Sequence, residues 1–159
     1  MKVLIISDTH RQTDNFYKVI DKTGPIDLII HCGDVEGSEY EFEAAAECPM
    51  VMVAGNNDFF SELSREEYLD IGPYKVWVTH GHSYYVSMGY ERIKDEAIGR
   101  GVDVVMFGHS HRPLVDIDNE VIAVNPGSLS YPRQENRRPS YVVMDLDRED
   151  ELHFNICYL

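Results

Sequence analysis

Short runs of Val, Ile, Leu and Met recur along the chain, and each ends on a side chain able to bind a metal. Asp8 and His10 follow the apolar run 3–6, Asp34 follows 28–30, and Asn56 follows 50–53. His80 follows 76–78, and His109 and His111 follow 104–107. Runs this short and apolar are the form taken by parallel strands covered on both faces. Ligands bind outside the carboxyl ends of such strands, so these scattered side chains are expected to converge.

Helix-period stretches alternate with the first strands, as a βαβ series requires. Phe16, Tyr17, Val19 and Ile20 behind Thr13 and Asp14 predict a helix stopped by Gly24 and Pro25. Ser38, with Glu41 completing a capping box, predicts a second helix reaching Glu47. Met88, Ile93, Ala97 and Ile98 predict a third over 87–100, closed near Gly101. Beyond residue 114 the texture changes to short strands joined by turns at Asp118-Asn119 and at 148–150, a pattern for an antiparallel meander. The expectation is one α/β domain over 1–159, a four-layer α/β/β/α sandwich of two mixed sheets with outer helices.

Charge narrows the function classes. With 28 acidic against 14 basic side chains the formal charge is -14, a field that repels phosphate backbones. A nucleic-acid polymer is therefore a disfavoured partner. Cys32, Cys48 and Cys157 form no paired framework, which points to reduced thiols and a cytoplasmic setting. The apolar run at the start is too short for a signal peptide or a membrane span.

Alternation along an extended chain would put Asp8 and His10 on one side, and His109 and His111 likewise. Oxygen and nitrogen donors without a thiolate suit two divalent ions, Mn²⁺ first, with Ni²⁺, Co²⁺, Zn²⁺, Fe or Mg²⁺ as alternatives. Gly33, Gly55, Gly81 and Gly108 beside these residues permit tight turns and close backbone approach. His31 and His153 are read as structural. Arg133, Arg137 and Arg138, next to Tyr131 and Pro132, form a basic stretch suited to a substrate phosphate, a partner subunit or plain solvent.

Five blocks in order, Ser7-Asp8-Thr9-His10, Cys32-Gly33-Asp34-Val35, Gly55-Asn56-Asn57-Asp58, Thr79-His80-Gly81-His82 and Gly108-His109-Ser110-His111, resemble the calcineurin-like metallophosphoesterases. With Asn125-Pro126-Gly127-Ser128 and the small size, the chain is similar to the YfcE-type phosphodiesterase branch, to which the non-catalytic retromer subunit is also related. The resemblance implies that Asp8, His10 and His111 hold one metal, that Asn56, His80 and His109 hold the other, and that Asp34 bridges them. It further implies a phosphoester substrate attacked in line by hydroxide from a water whose pKa the metal pair lowers. The catalytic set is then Asp34, Asn56, His80 and His82, with His82 orienting a ligand or serving as the acid.

One position departs from the family. Its usual histidine after the Gly-Asn pair, the proton donor to the leaving oxygen, is Asn57 here, and an amide is not an acid. A small phosphodiester with a good leaving group is the expected substrate. The alternatives are a phosphomonoesterase or nucleotide hydrolase of the same fold, or a metal-binding interaction scaffold without chemistry. A homo-oligomer is the general expectation.

Overall fold

The computed structural model describes residues 1–159. Strands and helices follow in the order β1 (Lys2–Ile6), α1 (Asp14–Thr23), β2 (Leu28–His31), α2 (Glu39–Ala45), β3 (Met50–Met52), β4 (Glu66–Ile71) and β5 (Tyr74–Thr79). Then come α3 (Glu91–Arg100), β6 (Val104–Met106), β7 (Pro113–Ile117), β8 (Ile122–Pro126), β9 (Ser140–Leu146) and β10 (Leu152–Tyr158). One sheet has the order β10-β9-β1-β2-β3, with β1, β2 and β3 parallel. The other runs β4-β5-β6-β8-β7, parallel at its centre and antiparallel at both edges.

Strand parity builds the layers. Val3, Ile5, Leu28 and Ile30 face inward and pack against Val76, Val78, Val104, Met106 and Val124 of the second sheet. Their neighbours Leu4, Ile6 and Ile29 face outward onto Phe16 and Val19 of α1 and Phe42 of α2. On the far side Trp77, Val105 and Ala123 cover Ile93 and Ala97 of α3. Each such fully buried aliphatic side chain contributes about 1.5–3 kcal/mol, so the two sheets and their helices hold as four layers. That is the expected α/β/β/α arrangement.

Local departures have local causes. α3 begins only at Glu91, because 85–88 form a turn that leaves Met88 in solvent, so that residue is no part of an apolar stripe. Ser38 precedes α2 without a side-chain capping bond, and the helix stops at Ala45 where Ala46 is extended. Gly101 closes α3 in the left-handed region, its N–H reaching the carbonyls of the last turn, as expected. β4 is an unforeseen edge strand, hidden by its acidic residues. No helix is long and apolar enough to cross a membrane.

Trp77 tests the packing of the second sheet on α3. Its ring is fully buried, yet its indole N–H finds no acceptor, and the Arg100 guanidinium lies 4.1 Å from the ring centroid. Trp77→Ala should cost about 3–5 kcal/mol in urea denaturation, and Trp77→Phe much less because only an unpaired polar group and part of a ring are lost. Equal costs would contradict this packing.

Candidate metal centre

The loops leaving β1, β2, β3, β5 and β6 meet at one end of the sandwich, and their backbones are unusual. Asp8 (φ 54°), His10 (46°), Asp34 (59°), His109 (63°) and His111 (56°) all lie in the left-handed region. None of them continues a strand, so alternation is not what brings Asp8 beside His10 or His109 beside His111. Left-handed kinks do. Such residues cost of order 1–3 kcal/mol each and persist only where surrounding bonds hold them.

Those bonds run between loops. The Asp8 N–H donates to the Gly33 carbonyl at 3.0 Å and the His10 N–H to the Asp34 carbonyl at 3.0 Å. The Asp58 carboxylate accepts backbone N–H groups from Asp34 (2.8 Å), Val35 (3.3 Å), Glu36 (2.6 Å) and Gly55 (2.7 Å), clamping two loops together. Asn125 donates to the Gly108 carbonyl at 2.8 Å, and the Ser128 hydroxyl donates to the Asp8 carbonyl at 2.8 Å. A Cβ at Gly55 would collide with the Asp34 carboxylate, and one at Gly108 with the Ser7 hydroxyl. The glycines permit close approach at these two points.

Within this frame three imidazoles are anchored from behind. Nδ1 of His80 donates to the Cys32 carbonyl at 2.7 Å, and Nδ1 of His111 to the Tyr131 carbonyl at 2.7 Å. Nδ1 of His10 donates to Glu36 Oε1 at 2.6 Å. With Nδ1 donating in each ring, Nε2 is directed inward, and in the neutral imidazole it is a lone pair. The Nε2 atoms of His10 and His111 then face each other at 3.4 Å, and Nε2 of His80 faces Asn56 Oδ1 at 3.1 Å. Between neutral rings such facing acceptors repel unless a proton or a metal ion lies between.

Carboxylates complete the cluster. Asp8 is fully buried, and its Oδ1 has no hydrogen-bond partner although His111 Nε2 lies 3.1 Å away. His10 Nε2 is 3.8 Å and His80 Nε2 3.9 Å from that same oxygen. Asp34 Oδ2 sits 3.4 Å from His80 Nε2 and 3.8 Å from His10 Nε2, facing both rings. Donors about 2.0–2.2 Å from a shared ion lie about 3 Å apart, so the groups Asp8–His10–His111 and Asp8–Asp34–His80 fit divalent metal ions.

Ionisation follows the same geometry. Burial raises the Asp8 and Asp34 pKa values, but neighbouring imidazoles, and for Asp34 the Asn57 amide, hold both carboxyls below the usual range. Burial pulls the His80 pKa down, yet Asp34 and Asp8 outweigh it and lift it to about 9. A divalent ion competes with that extra proton for Nε2. His109 is pushed down to about 4 by burial and by His80, leaving a neutral ring. His31 is likewise pushed down to about 4 by burial; it accepts from the Gly33 N–H and faces the Thr9 hydroxyl at 3.0 Å, a structural strut.

The sequence-derived set therefore gathers in one place, with differences of detail. His10, Asp34, Asn56, His109 and His111 line an open cleft of about 320 Å³, and His80 lies beneath it. The His109 ring stands edge-on to His80 with centroids 5.1 Å apart. His82 opens a 3₁₀ turn instead of extending β5, and its ring lies 5.5 Å from His80. Sequence reasoning missed Glu36 behind His10, Asp58 as the clamp, and the Asn57 amide, which donates to Asp34 Oδ2 at 2.8 Å while its N–H reaches Oδ1 at 2.9 Å. Asp58 ends the Gly-Asn-Asn-Asp block, which was the available signal. The basic stretch divides: Arg133 lines the cleft, whereas Arg138 turns away to the Leu159 carbonyl.

This chain belongs to the calcineurin-like phosphoesterase superfamily, whose domain model matches residues 1–149. It is 35% identical over 150 residues to the probable metallophosphoesterase YsnB of Bacillus subtilis, covering 94% of this chain and 86% of that one. It is 30% identical over 146 residues to the phosphodiesterase MJ0936 of Methanocaldococcus jannaschii, covering 80% and 83%. Its fold is similar to that of zinc-complexed Vps29 from Entamoeba histolytica, with TM-score 0.78, 21% identity, and 99% of both chains covered.

Two outcomes follow from the frame. Asp58→Asn replaces one of the two accepting oxygens by an N–H₂, which leaves at least the Glu36 N–H facing a donor, so it should lower the thermal midpoint and weaken metal binding, whereas an unchanged midpoint would refute the clamp. In metal-free protein Asp34 and Asp8 hold the His80 pKa at about 9, above the ordinary imidazole value of 6.5. Its contribution to stability is complete below that value and disappears as pH rises through about 9. Denaturation of chelator-treated protein from pH 7 to 9.5 should show this decline, and Mn²⁺-loaded protein should not; a flat metal-free profile would contradict it.

Proposed function

We propose that the chain is a metal-dependent phosphodiesterase acting on a small phosphoester. Asp8, His10 and His111 hold one ion, Asn56, His80 and His109 the other, and Asp34 lies between them. The observation that carries this reading is the convergence of Asp8 Oδ1, buried without a hydrogen bond, and the Nε2 atoms of His10, His80 and His111, each able to bind a metal ion. A pair of divalent ions, Mn²⁺ first, would supply positive charge for the phosphoryl oxygens and a water acidified enough to attack phosphorus.

The chain's own residues do the positioning. Glu36, Cys32 and Tyr131 fix the rings, and Asn57 holds both oxygens of Asp34 in one orientation. Occupied in that way, and lacking an acidic proton, Asn57 leaves the departing oxygen to carry its own charge. His82 is a poor replacement for the missing acid, because burial and His80 lower its pKa and so disfavour the protonated ring an acid needs. A diester with a stable leaving group suits such a site, as the phosphodiesterase name of the MJ0936 relative supports.

The intact donor set supports catalysis over the scaffold reading. The charge of -14 favours a small substrate over a nucleic-acid polymer, and three free cysteines support a cytoplasmic setting. Hydrolysis of bis(4-nitrophenyl) phosphate should disappear on chelation, return with Mn²⁺ and be lost in Asp34→Ala. Alkyl monoesters should be cleaved at least about 10²-fold more slowly, the usual worth of a general acid. Comparable rates on aryl diesters and alkyl monoesters would overturn the missing-acid account.

A further inference from the structure

A second cleft adjoins the metal centre. The loop carrying His109 and His111 has two faces: its histidines line the metal cleft, while Ser110 and Arg112 line a cavity of about 330 Å³ on the other side. Asn125 pins the loop from below, donating to the Gly108 carbonyl at 2.8 Å and to the Ser110 hydroxyl at 3.1 Å. Arg133 lines both cavities, and its backbone N–H donates to the His111 carbonyl at 2.9 Å, fixing it to the rim they share. The two spaces are thus neighbouring compartments around one loop.

The walls of the second compartment differ from the first. Val86, Met88, Phe107 and Leu114 supply an apolar surface, and Arg112 and Arg133 supply the charge. Neither guanidinium makes a hydrogen bond or ion pair within the protein. No carboxylate lines this cavity, although acidic side chains outnumber basic ones two to one, 28 against 14. An apolar wall takes a ring or a short carbon skeleton, and two free arginines select a second anion at its end.

We infer that this compartment binds the retained arm of the substrate, and that the preferred substrate is a small phosphodiester whose arm carries a second phosphate. Arg133, on the shared rim, lies between the scissile ester and the arm, and Arg112 meets the terminal phosphate. The inference rests on the proposed phosphodiesterase reading, because it places the scissile group over the metal cleft. Arg112 and Arg133 determine specificity; neither is assigned a part in the bond-breaking step.

The test compares the 4-nitrophenyl ester of thymidine 5′-phosphate with and without a 3′-phosphate, using Mn²⁺-loaded protein. The leaving group is identical, so only the arm differs. The 3′-phosphorylated ester should have a kcat/KM at least about tenfold higher, the worth of one charge-assisted hydrogen bond, carried mainly by KM. Arg112→Gln should bring the ratio close to one, while Arg148→Gln, in the distant β9–β10 turn, should retain it. Turnover of both esters at equal efficiency, or a ratio unchanged in Arg112→Gln, overturns the subsite and leaves the phosphodiesterase reading in place. Absence of all turnover overturns that reading instead. The subsite is then decided by calorimetry: thymidine 3′,5′-bisphosphate should bind the wild type at least about tenfold more tightly than thymidine 5′-phosphate, an advantage lost in Arg112→Gln, and equal affinities overturn it.

Discussion

A carboxylate removed from water with one oxygen bonded to nothing is the constraint on which this structure turns. Asp8 sits at the end of β1 with no solvent exposure, and burying an ion in that way costs several kcal/mol unless opposite charge is held close. The surroundings answer that need only in part. His80 and His111 approach Asp8 Oδ1 with Nε2, because their Nδ1 atoms are engaged by the Cys32 and Tyr131 carbonyls, yet neither makes a hydrogen bond to it. Divalent ions would resolve the conflict, and the donor atoms are close enough together to share them.

Everything beneath the cluster reads as support for that arrangement. Parallel strands deliver the loops to one end, and three apolar clusters make the strands a rigid base. The loops then adopt left-handed turns that their residues disfavour, which the Asp58 clamp and the Asn125 and Ser128 bonds offset. Strain at the centre is thus held by hydrogen bonds one step removed from it. The Asn125-Pro126-Gly127-Ser128 segment contributes no donor to the centre; it ties the Asp8 loop to the His109–His111 loop.

The layers, and the convergence of the candidate metal-binding side chains at one end, were legible in the sequence because both rest on strong local signals. Apolar runs such as 3–6 and 104–107 fix strands, and Asp or His after them marks the strand ends. What was illegible lies in backbone geometry. Strand alternation gave the right partners for Asp8 and His10 by the wrong route, since left-handed φ values in polar residues leave no pattern of hydrophobicity. β4 escaped because an edge strand with one solvated face can be mostly acidic. Asn57 showed only an absent acid in the sequence, and its grip on Asp34 needed the fold to bring residues 34 and 57 together. Arg112 gave no signal at all, because its place behind a ligand loop is a property of the turn.

Two ions per chain, close enough to share Asp34, are the central claim. Titration of metal-free protein with Mn²⁺, followed by calorimetry and by electron paramagnetic resonance, measures it most directly. The account predicts saturation at two equivalents and an exchange-coupled Mn²⁺ pair in the spectrum. Saturation at one equivalent, with the spectrum of an isolated ion, would contradict it, because Asp8 Oδ1 and the three facing imidazoles would then need another explanation.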